Sequence, residues 1–224
     1  MKSILESPQL AAEALIAAFR GQGTATVHEA LGQRGALDAS VKPLDRKFST
    51  SGPARTVYCP PGDNLMLIKA VSLAGPGEVL VLHSGGGLNH GPFGEVLAVE
   101  CLARGVAGLV TDGSVRDSEA IIRLGFPVFA AGLSIRGTAK AALGLINHPL
   151  VCGGVLVRPG DIVLGDADGV VIVPPAEAES ALAAARARTA REEEVLAQLR
   201  NGASLFDLYG YDKTLDHLEE DAGD

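Results

Sequence analysis

Two acids and an arginine stand at the starts of two consecutive helix-like segments. Glu95 opens the first segment, directly after the glycine-rich run GGGLNHGPFG, and Arg116 and Asp117 directly precede the second. A carboxylate is a good ligand for a hard divalent cation, and the planar fork of arginine binds a carboxylate through two parallel hydrogen bonds. If the two helix starts lie side by side, Arg116 and Asp117 would hold a metal ion and an oxo acid, and Glu95 would hold a metal-bound water.

Both acids also have a purely structural interpretation. Aspartate is a common N-cap, so Asp117 could serve only its own helix, and Glu95 could simply favour the positive end of the helix dipole. The glycine run could be a tight turn, and it matches no nucleotide-binding fingerprint. The free backbone N–H groups at the first helix mouth nevertheless favour an anionic ligand, which points to Gly94, Glu95, Val96 and Leu97.

Other polar side chains near these segments carry weaker signals. His83 and His90 could bind a transition metal together, but no third nitrogen or sulfur ligand stands at a suitable spacing. Asp112 is expected to serve a turn. Ser84 and Ser114 lie outside the GxSxG pattern of an activated serine nucleophile.

The elements that must position the site follow from the pattern of apolar residues and turn signals. The sequence predicts helices over 8–21, 24–31, 64–74, 94–104 and 118–124, and strands over 52–58, 78–82, 106–111 and 127–131. The second predicted helix would be capped by Thr24 or Thr26, and residues 112–117 form the loop that leaves the third strand. Strands 78–82, 106–111 and 127–131 alternate with helices, so they should be parallel neighbours with the candidate site at their carboxyl edge.

The second half of the chain changes character. Short β runs over 155–157, 161–166 and 169–174, separated by turn sequences, predict an antiparallel ribbon. A long helix over 176–199 follows, with a stripe at alternating spacings of three and four: Leu182, Ala185, Thr189, Glu192, Leu196 and Leu199. We therefore expect a layered α/β catalytic domain over 1–175 and a helical arm over 176–224 that packs on a neighbouring subunit and ends in a disordered acidic tail.

Bulk properties narrow the function classes. The chain has 224 residues and a net charge of −8, which argues against binding to the phosphate backbone of a nucleic acid. Its three cysteines are far apart, so neither a disulfide framework nor a zinc cluster is indicated. No apolar run is long enough to span a membrane, and the amino terminus does not resemble a signal peptide. These features predict a soluble, cytoplasmic, enzyme-like protein.

Residues 85–140 resemble a known family. The run FGEVLAVECLARGVAGLVTDGSVRDSEAI, with CPPGDNL at 59–65, VRPGDIVLGDADGVVIVP at 157–174 and AREEE at 190–194, is similar to the 4-hydroxy-4-methyl-2-oxoglutarate/4-carboxy-4-hydroxy-2-oxoadipate aldolases. The same family contains the regulator of ribonuclease activity A. The resemblance covers most of the chain.

The resemblance implies a metal-dependent pyruvate aldolase that also decarboxylates oxaloacetate. Asp117 would be the direct ligand of Mg²⁺ or Mn²⁺, and Glu95 would hold metal-bound water. Arg116 and the backbone of residues 94–97 would bind the pyruvyl moiety. Glu192, or its neighbour Glu193, would reach the site of another subunit and act there through water. Both reactions leave a pyruvate enolate, whose charge the cation and Arg116 would stabilise.

The implied fold is a swivelling β/β/α domain with a parallel βαβαβ core, an antiparallel ribbon and a long C-terminal helix, assembled as a homotrimer or homohexamer. The alternative function within the family is a non-catalytic regulator that binds a ribonuclease. Two positions depart from the family pattern, His83 where an aspartate is common and Ala120 where an acid is common, and either could mark a different second half-substrate.

Overall fold

The strands of the protein form one large sheet and one separate hairpin. The computed structural model describes residues 2–8 and 10–222. The strands, in chain order, are β1 Lys42–Pro43, β2 Thr50–Tyr58, β3 Val79–His83, β4 Gly108–Val115, β5 Val128–Leu133, β6 Leu145–Ile146, β7 Leu150–Cys152, β8 Val155–Val157, β9 Ile162–Gly165 and β10 Val170–Val173.

The helices alternate with the central strands and then dominate the C-terminal part. They are α1 Glu13–Ala18, α2 Thr24–Ala30, α3 Leu65–Leu73, α4 Glu95–Ala103, α5 Ser118–Leu124, α6 Ala178–Arg200, α7 Leu205–Tyr209 and α8 Tyr211–Ala222, with a 3₁₀ turn at Pro175–Glu177 before α6. Among the described residues, no helix is long and apolar enough to cross a membrane.

The large sheet has the order β1-β5-β4-β3-β2-β9-β10, with β6 also paired to β2. Strands β2, β3, β4 and β5 are parallel neighbours, and β9 and β10 continue the sheet as an antiparallel ribbon. The expected parallel βαβαβ core and antiparallel ribbon are therefore confirmed. Helices α4 and α5 both begin at the carboxyl edge of the parallel strands, where ligands bind in open α/β sheets.

The central strands are buried on both faces, because their side chains alternate between two layers. Leu80 and Leu82 of β3 pack under the helices, in a core with residues of α3, α4 and α5. Val79 and Val81 of β3 face a second β layer. Residues of the ribbon, among them Val163 of β9, and of the β7–β8 hairpin contribute to this layer. This arrangement confirms the β/β/α layering. A third core joins α1, α2 and the first half of α6 to the outer side of β9 and β10.

Several local predictions were wrong. Strand β4 continues to Val115, through residues predicted to be a loop, because Ser114 and Val115 resume pairing with β5 after a register shift. The run Val155–Val157 does not join the ribbon but pairs with Leu150–Cys152.

The N-terminal helices also differ from expectation. Helix α1 covers only Glu13–Ala18 of the predicted 8–21, and Gln9 lies outside the described residues. Helix α2 is not capped by Thr24 or Thr26, because its N-cap is Gly23. The backbone N–H and hydroxyl of Thr24 instead donate to the Asp166 carboxylate, at 2.8 Å each.

The C-terminal arm is helical further than predicted. Residues 219–222, expected to belong to a disordered tail, continue α8, and residues 223 and 224 lie outside the described part. Among the described residues, the buried members of α6 lie in its first half: Leu182 and Ala185 of the stripe are buried, whereas Leu196 is 46% exposed. Further apolar side chains are exposed beyond it, namely Leu205, Phe206, Tyr209, Tyr211, Leu215 and Leu218.

Candidate active site

The starts of α4 and α5 lie side by side, and Asp117 joins them. Asp117 is the N-cap residue of α5, but its side chain makes no capping hydrogen bond to that helix. Its Oδ2 atom instead accepts a hydrogen bond from the backbone N–H of Glu95, the first residue of α4, at 3.1 Å. The structural interpretation of Asp117 as a simple cap of its own helix is therefore wrong.

The backbone of Asp117 has the left-handed conformation, with φ 57° and ψ 35°. This conformation is uncommon for residues other than glycine, although aspartate and asparagine tolerate it better than most. Such residues concentrate at functional sites, where the surrounding structure holds them. The conformation turns the chain sharply between the end of β4 and the start of α5.

The loop before α4 touches the Arg116–Asp117 pair so closely that only glycine fits. A Cβ atom added to Gly94 would lie 2.3 Å from Oδ2 of Asp117 and 3.0 Å from Cγ of Arg116. Gly94 has no positive φ; its extended backbone is open to any residue. The glycine is thus required by the close approach of two side chains that carry the predicted chemistry.

Arg116 is held through its backbone as well as by neighbouring side chains. Its N–H donates to the carbonyl of Phe93 at 2.9 Å, and Phe93 is fully buried against Phe126, with ring centroids 5.8 Å apart. The Nε atom of Arg116 lies 3.6 Å from Oδ2 of Asp117, and both side chains are less than half exposed. The guanidinium is therefore positioned but remains accessible to an anionic ligand.

Two donors at the mouth of α4 remain available. The N–H of Glu95 is already used by Asp117, whereas those of Val96 and Leu97 have no acceptor within the described chain. Together with the helix dipole they favour a negative group at this point. The sequence prediction that residues 94–97 bind an anion is compatible with this geometry, with Val96 and Leu97 as the free donors.

The side chains at the two helix starts suit a divalent cation that keeps most of its waters, and not one that is enclosed entirely by protein ligands. No group of three or more His, Cys, Asp or Glu side chains that could hold a metal exists among residues 2–8 and 10–222. Oδ1 of Asp117 has no hydrogen-bond partner in that part of the chain, and the exposed Glu95 belongs to the same helix mouth. Because Mg²⁺ keeps several waters and needs only one or two protein carboxylates, these residues fit it.

The structure does not bring Glu192 to this site within one protomer. Its carboxylate pairs with Arg188 on the same helix, with 2.8 Å between Oε1 and Nε, and Arg188 also pairs with Glu29 of α2 at 2.9 Å. Glu192 therefore lies on the side of the molecule where α6 meets α2. A role at the site of a second subunit remains a prediction.

His83 and Asp112 form a separate pair on the other face of the sheet. Nδ1 of His83 lies 2.8 Å from Oδ2 of Asp112, and the ring stacks on Tyr58. Asp112 thus lies within β4 and binds a histidine, so its assignment to a turn was wrong. His83 and His148 line one cavity of about 300 Å³, while His90 lines a different one, so His83 and His90 do not share a metal site.

Sequence reasoning missed Asp63, which organises the loops around the site. Its carboxylate accepts three backbone N–H groups, from Leu65, Ala141 and Ala142, at 2.8, 2.7 and 3.1 Å. The hydrogen bonds from Ala141 and Leu65 lower the pKa of Asp63. The only signal in the sequence was an aspartate directly after the Pro-Pro-Gly turn, which is typical of side chains that bind nearby backbone.

Two further features of the molecule are less suited to catalysis than this site. Burial raises the pKa of the Cys59 thiol to about 11 and that of Cys101 to about 12, so neither thiol is a ready nucleophile. A larger cavity of about 450 Å³ lies at the opposite, amino-terminal end of the parallel strands. Its carboxylate, Asp166, is already bound by Thr24, and the cavity is distant in the fold from the helix mouths.

Sequence comparisons identify the relatives of this chain. Residues 24–172 match the family model described as "RraA-like: Aldolase/RraA". A protein of Halalkalibacterium halodurans named "Putative 4-hydroxy-4-methyl-2-oxoglutarate aldolase" is 39% identical over 80% of this chain and 85% of its own length. A protein of the same name from Xanthomonas campestris is 36% identical over 60% of this chain and 82% of its own.

Solved structures extend the likeness to the fold. An uncharacterised protein of Pseudomonas syringae superposes with a TM-score of 0.78 and 26% identity, over 89% of this chain and 98% of that one. RraAS2 of Streptomyces coelicolor, described as an unusual member of the RNase ES inhibitor RraA family, gives 0.73 and 27%, over 88% and 100%. The RNA-processing inhibitor RraA of Thermus thermophilis gives 0.63 and 30%, over 68% and 92%. The chain belongs to the RraA-like family of aldolases and RraA proteins.

Proposed function

We propose that the protein is a divalent-metal-dependent lyase that forms pyruvate, by retro-aldol cleavage of 4-hydroxy-2-oxo acids and by decarboxylation of oxaloacetate. The observation that carries the proposal is the contact between the two helix mouths, where Asp117 binds the Glu95 N–H beside the Arg116 guanidinium. The aldolase names of several curated relatives support the same class of reaction.

The residues of the site have separate roles in binding the substrate and the metal. The Arg116 guanidinium and the free N–H groups of Val96 and Leu97 bind the carboxylate of the 2-oxo acid and orient it. Asp117, with Glu95 acting through water, holds Mg²⁺ or Mn²⁺. When bound, the cation supplies positive charge where negative charge develops on the oxo group. Arg116 adds a fixed charge at the same point, which stabilises the transition state more than the ground state.

Arginine is needed at position 116 because the carboxylate of the 2-oxo acid is planar. Its Nε side faces Asp117 at 3.6 Å, while Nη1 extends toward Gly137, where an added Cβ would lie 3.7 Å away. The guanidinium can therefore bind a ligand carboxylate while it still neutralises part of the Asp117 charge. Lysine offers one compact ammonium group and cannot do both in the same geometry.

Pyruvate release tests the proposal. Purified protein, stripped of metal and then resupplied with Mg²⁺ or Mn²⁺, is incubated with oxaloacetate and with 4-hydroxy-4-methyl-2-oxoglutarate, and pyruvate is measured. We expect release that depends on the metal and falls at least about 100-fold in Arg116→Lys. Release that persists in a chelator, or an unaffected Arg116→Lys, would refute the proposed chemistry.

A second candidate is a non-catalytic regulator that binds a ribonuclease. It is favoured by the solved structures named as RraA proteins and by the net charge of −8, which suits a basic partner surface. The RraA of Thermus thermophilis covers only 68% of this chain. Capture of a ribonuclease from a lysate by the full chain, together with no lyase activity on any oxo acid, would favour the regulator.

A further inference from the structure

A small pocket lies close to the Arg116 side chain. The pocket has a volume of about 120 Å³, and His90 and Thr138 are among its lining residues. Each is adjacent in sequence to a glycine that contacts Arg116. A Cβ added to Gly91 would lie 3.0 Å from Cβ of Arg116, and one added to Gly137 would lie 3.7 Å from Nη1. The pocket is therefore a neighbouring space for the part of a substrate that Arg116 does not hold.

The pocket presents hydrogen-bonding groups that the protein itself does not use. Ser84 lines the pocket, is only 8% exposed, and its hydroxyl has no hydrogen-bond partner within the described residues. His90 and Thr138 line the same pocket, and their side chains are likewise unpaired in the described chain. A nearly buried hydroxyl without a partner is costly unless a water or a ligand satisfies it. Ser84 therefore marks a place where a polar ligand group belongs.

The charge of the pocket disfavours a second carboxylate. Asp63 is 4% exposed and lines the pocket, and its lowered pKa keeps it ionised at neutral pH. Among the described residues that line the pocket there is no lysine or arginine. Lys140 is exposed and its Nζ lies 3.4 Å from the carbonyl oxygen of Thr138. A second carboxylate would enter next to Asp63, and the nearby Lys140 ammonium already acts on the Asp63 charge, so the pocket holds no further cation to pair with the newcomer, which is unfavourable.

We propose that this pocket receives the part of a 4-hydroxy-2-oxo acid beyond C3 and selects a short, uncharged, hydroxylated fragment over one with a second carboxylate. The proposal rests on the lyase function proposed above and narrows its substrate class. The volume of about 120 Å³ holds about four waters at roughly 30 Å³ each. This space suits a fragment of two or three carbons, such as the glycolaldehyde half of 4,5-dihydroxy-2-oxopentanoate.

The reaction of such a substrate is balanced without a further reagent. The C3–C4 bond breaks, the C4 hydroxyl loses its proton and becomes the carbonyl of the aldehyde, and the electron pair remains on the pyruvyl half. C3 then takes up a proton and pyruvate is released. The hydroxyls of Ser84 and Thr138 hold the distal hydroxyl group during cleavage; they do not touch the pyruvyl half.

The experiment compares two reactions of the same enzyme. Cleavage of 4,5-dihydroxy-2-oxopentanoate and of 4-hydroxy-4-methyl-2-oxoglutarate is followed as pyruvate release at pH 8, above the ordinary range of a histidine imidazole. Exchange of the C3 protons of pyruvate with deuterium, followed by NMR, uses the pyruvyl site alone. We expect kcat/KM to be at least about tenfold higher for the neutral substrate, since a site built for a hydroxyl discriminates strongly.

The variants separate the pocket from the pyruvyl site. Ser84→Ala and Thr138→Val should lower cleavage of the dihydroxy acid about tenfold more than they lower pyruvate exchange. Thr138→Lys, which adds a cation to the pocket, should shift the preference toward the dicarboxylic substrate. His28→Gln is the matched control, because His28 lies on α2, outside the pocket, and its Nδ1 contacts the carbonyl of Arg34; its ratio of cleavage to exchange should equal that of the wild type.

Each outcome decides between the proposals. Equal or better cleavage of the dicarboxylic substrate by the wild type, or equal losses in cleavage and exchange in the Ser84 and Thr138 variants, would overturn the pocket assignment alone. The lyase function would then stand, because pyruvate is still released. If the wild type neither releases pyruvate nor exchanges its protons, the proposed function itself fails, and the pocket assignment fails with it.

Discussion

The carboxylate of Asp117 accepts a hydrogen bond from the backbone N–H of Glu95, 3.1 Å away, although Asp117 is the N-cap residue of a different helix. One side chain therefore fixes the relative position of α4 and α5 at the carboxyl edge of the sheet. The same bond leaves Oδ1 of Asp117 open, and the Arg116 side chain runs close to Gly94. This contact brings together Glu95 and the Arg116–Asp117 pair, which are well separated in the sequence.

Replacing Asp117 by asparagine should remove activity without unfolding the protein. Asparagine tolerates the left-handed backbone conformation of this position and can still accept the Glu95 N–H, but its neutral oxygen is a weak ligand for a hard cation. We expect kcat/KM for pyruvate release to fall at least about 100-fold. Circular dichroism should give a melting temperature within a few degrees of the wild type.

Metal binding to Asp117 can be measured without turnover. A ligand that binds only the folded state raises the melting temperature as its concentration increases. Mg²⁺ or Mn²⁺ should therefore raise the melting temperature of the wild type and leave that of Asp117→Asn unchanged. An equal shift in both proteins would mean that the cation binds elsewhere.

Gly94→Ala should damage the site through a steric clash alone. The new Cβ would meet Oδ2 of Asp117 at 2.3 Å, so the carboxylate or the loop must move, and small displacements of catalytic groups are costly. We expect kcat to fall at least about tenfold with little loss of secondary structure. Gly75→Ala is the control, because a Cβ added to Gly75 would lie 3.8 Å from the Glu78 Oε2 atom, which is an ordinary contact. Equal losses of kcat in both variants would contradict the steric explanation.

Local sequence signals predicted the central fold well, because the residues that mark the ends of an element in the sequence also bound that element in the structure. Helix α5 has the predicted bounds, since Ser118 follows the Arg-Asp pair and Gly125 ends the helix in the left-handed conformation. The extension of β4 was not predictable, because Asp112 and Ser114 are typical loop residues. Asp112 is held in the strand by His83 at 2.8 Å and by the backbone N–H of Gly153 at 3.3 Å, and Ser114 by the carbonyl of Leu88 at 2.9 Å. These partners are distant in sequence.

The candidate site was predictable in its residue types but not in its connections. An acid and an Arg-Asp pair near two helix starts indicated Glu95, Arg116 and Asp117. That Asp117 would bind the other helix, and not cap its own, depends on the packing of α4 against α5. The roles of Asp63 and Ser84 depend on loops folded over the sheet edge; the turn before Asp63 was the only local signal for the first, and Ser84 matches no local motif.

Lowering the pH should remove the stabilisation that Asp63 provides. The backbone donors of Ala141 and Leu65 depress its pKa in the folded state. Its contribution is therefore present above the ordinary aspartate pKa of about 3.9 and is lost as the pH falls through the lower, folded value. Asp63→Asn should be less stable than the wild type at pH 7, and the difference should shrink below about pH 4.

Urea unfolding at several pH values measures this difference. Asp161 acts in the opposite sense, because burial raises its pKa, but it is present in both proteins and its effect cancels. Asp216→Asn, an exposed change on α8, is the control and should leave the pH dependence unchanged. A difference between Asp63→Asn and the wild type that is constant with pH would contradict the assignment.

The buried pair of Arg55 and Glu78 should be the ion pair on which stability depends most. Two hydrogen bonds join them, at 2.9 and 3.0 Å, and both side chains are nearly buried. Glu78→Gln leaves the Arg55 charge uncompensated and should lower the free energy of unfolding by about 3–5 kcal/mol. Glu100→Gln breaks the half-exposed pair with Arg104 and should cost less than about 1 kcal/mol. Urea unfolding of both variants tests this contrast.

The second half of α6 is expected to complete the site of a neighbouring subunit, with Glu192 as the contributed acid. In one protomer Glu192 pairs only with Arg188 among its described contacts, and the apolar residue Leu196 one turn further is 46% exposed. If Glu192 acts across an interface, Glu192→Ala and Arg116→Ala are each inactive alone but complement each other when their subunits are exchanged. Random pairing then restores roughly a quarter of the sites. Mixing after mild denaturation, with subunit exchange verified by native mass spectrometry, is the measurement; verified exchange without recovered pyruvate release would show that Glu192 serves no shared site.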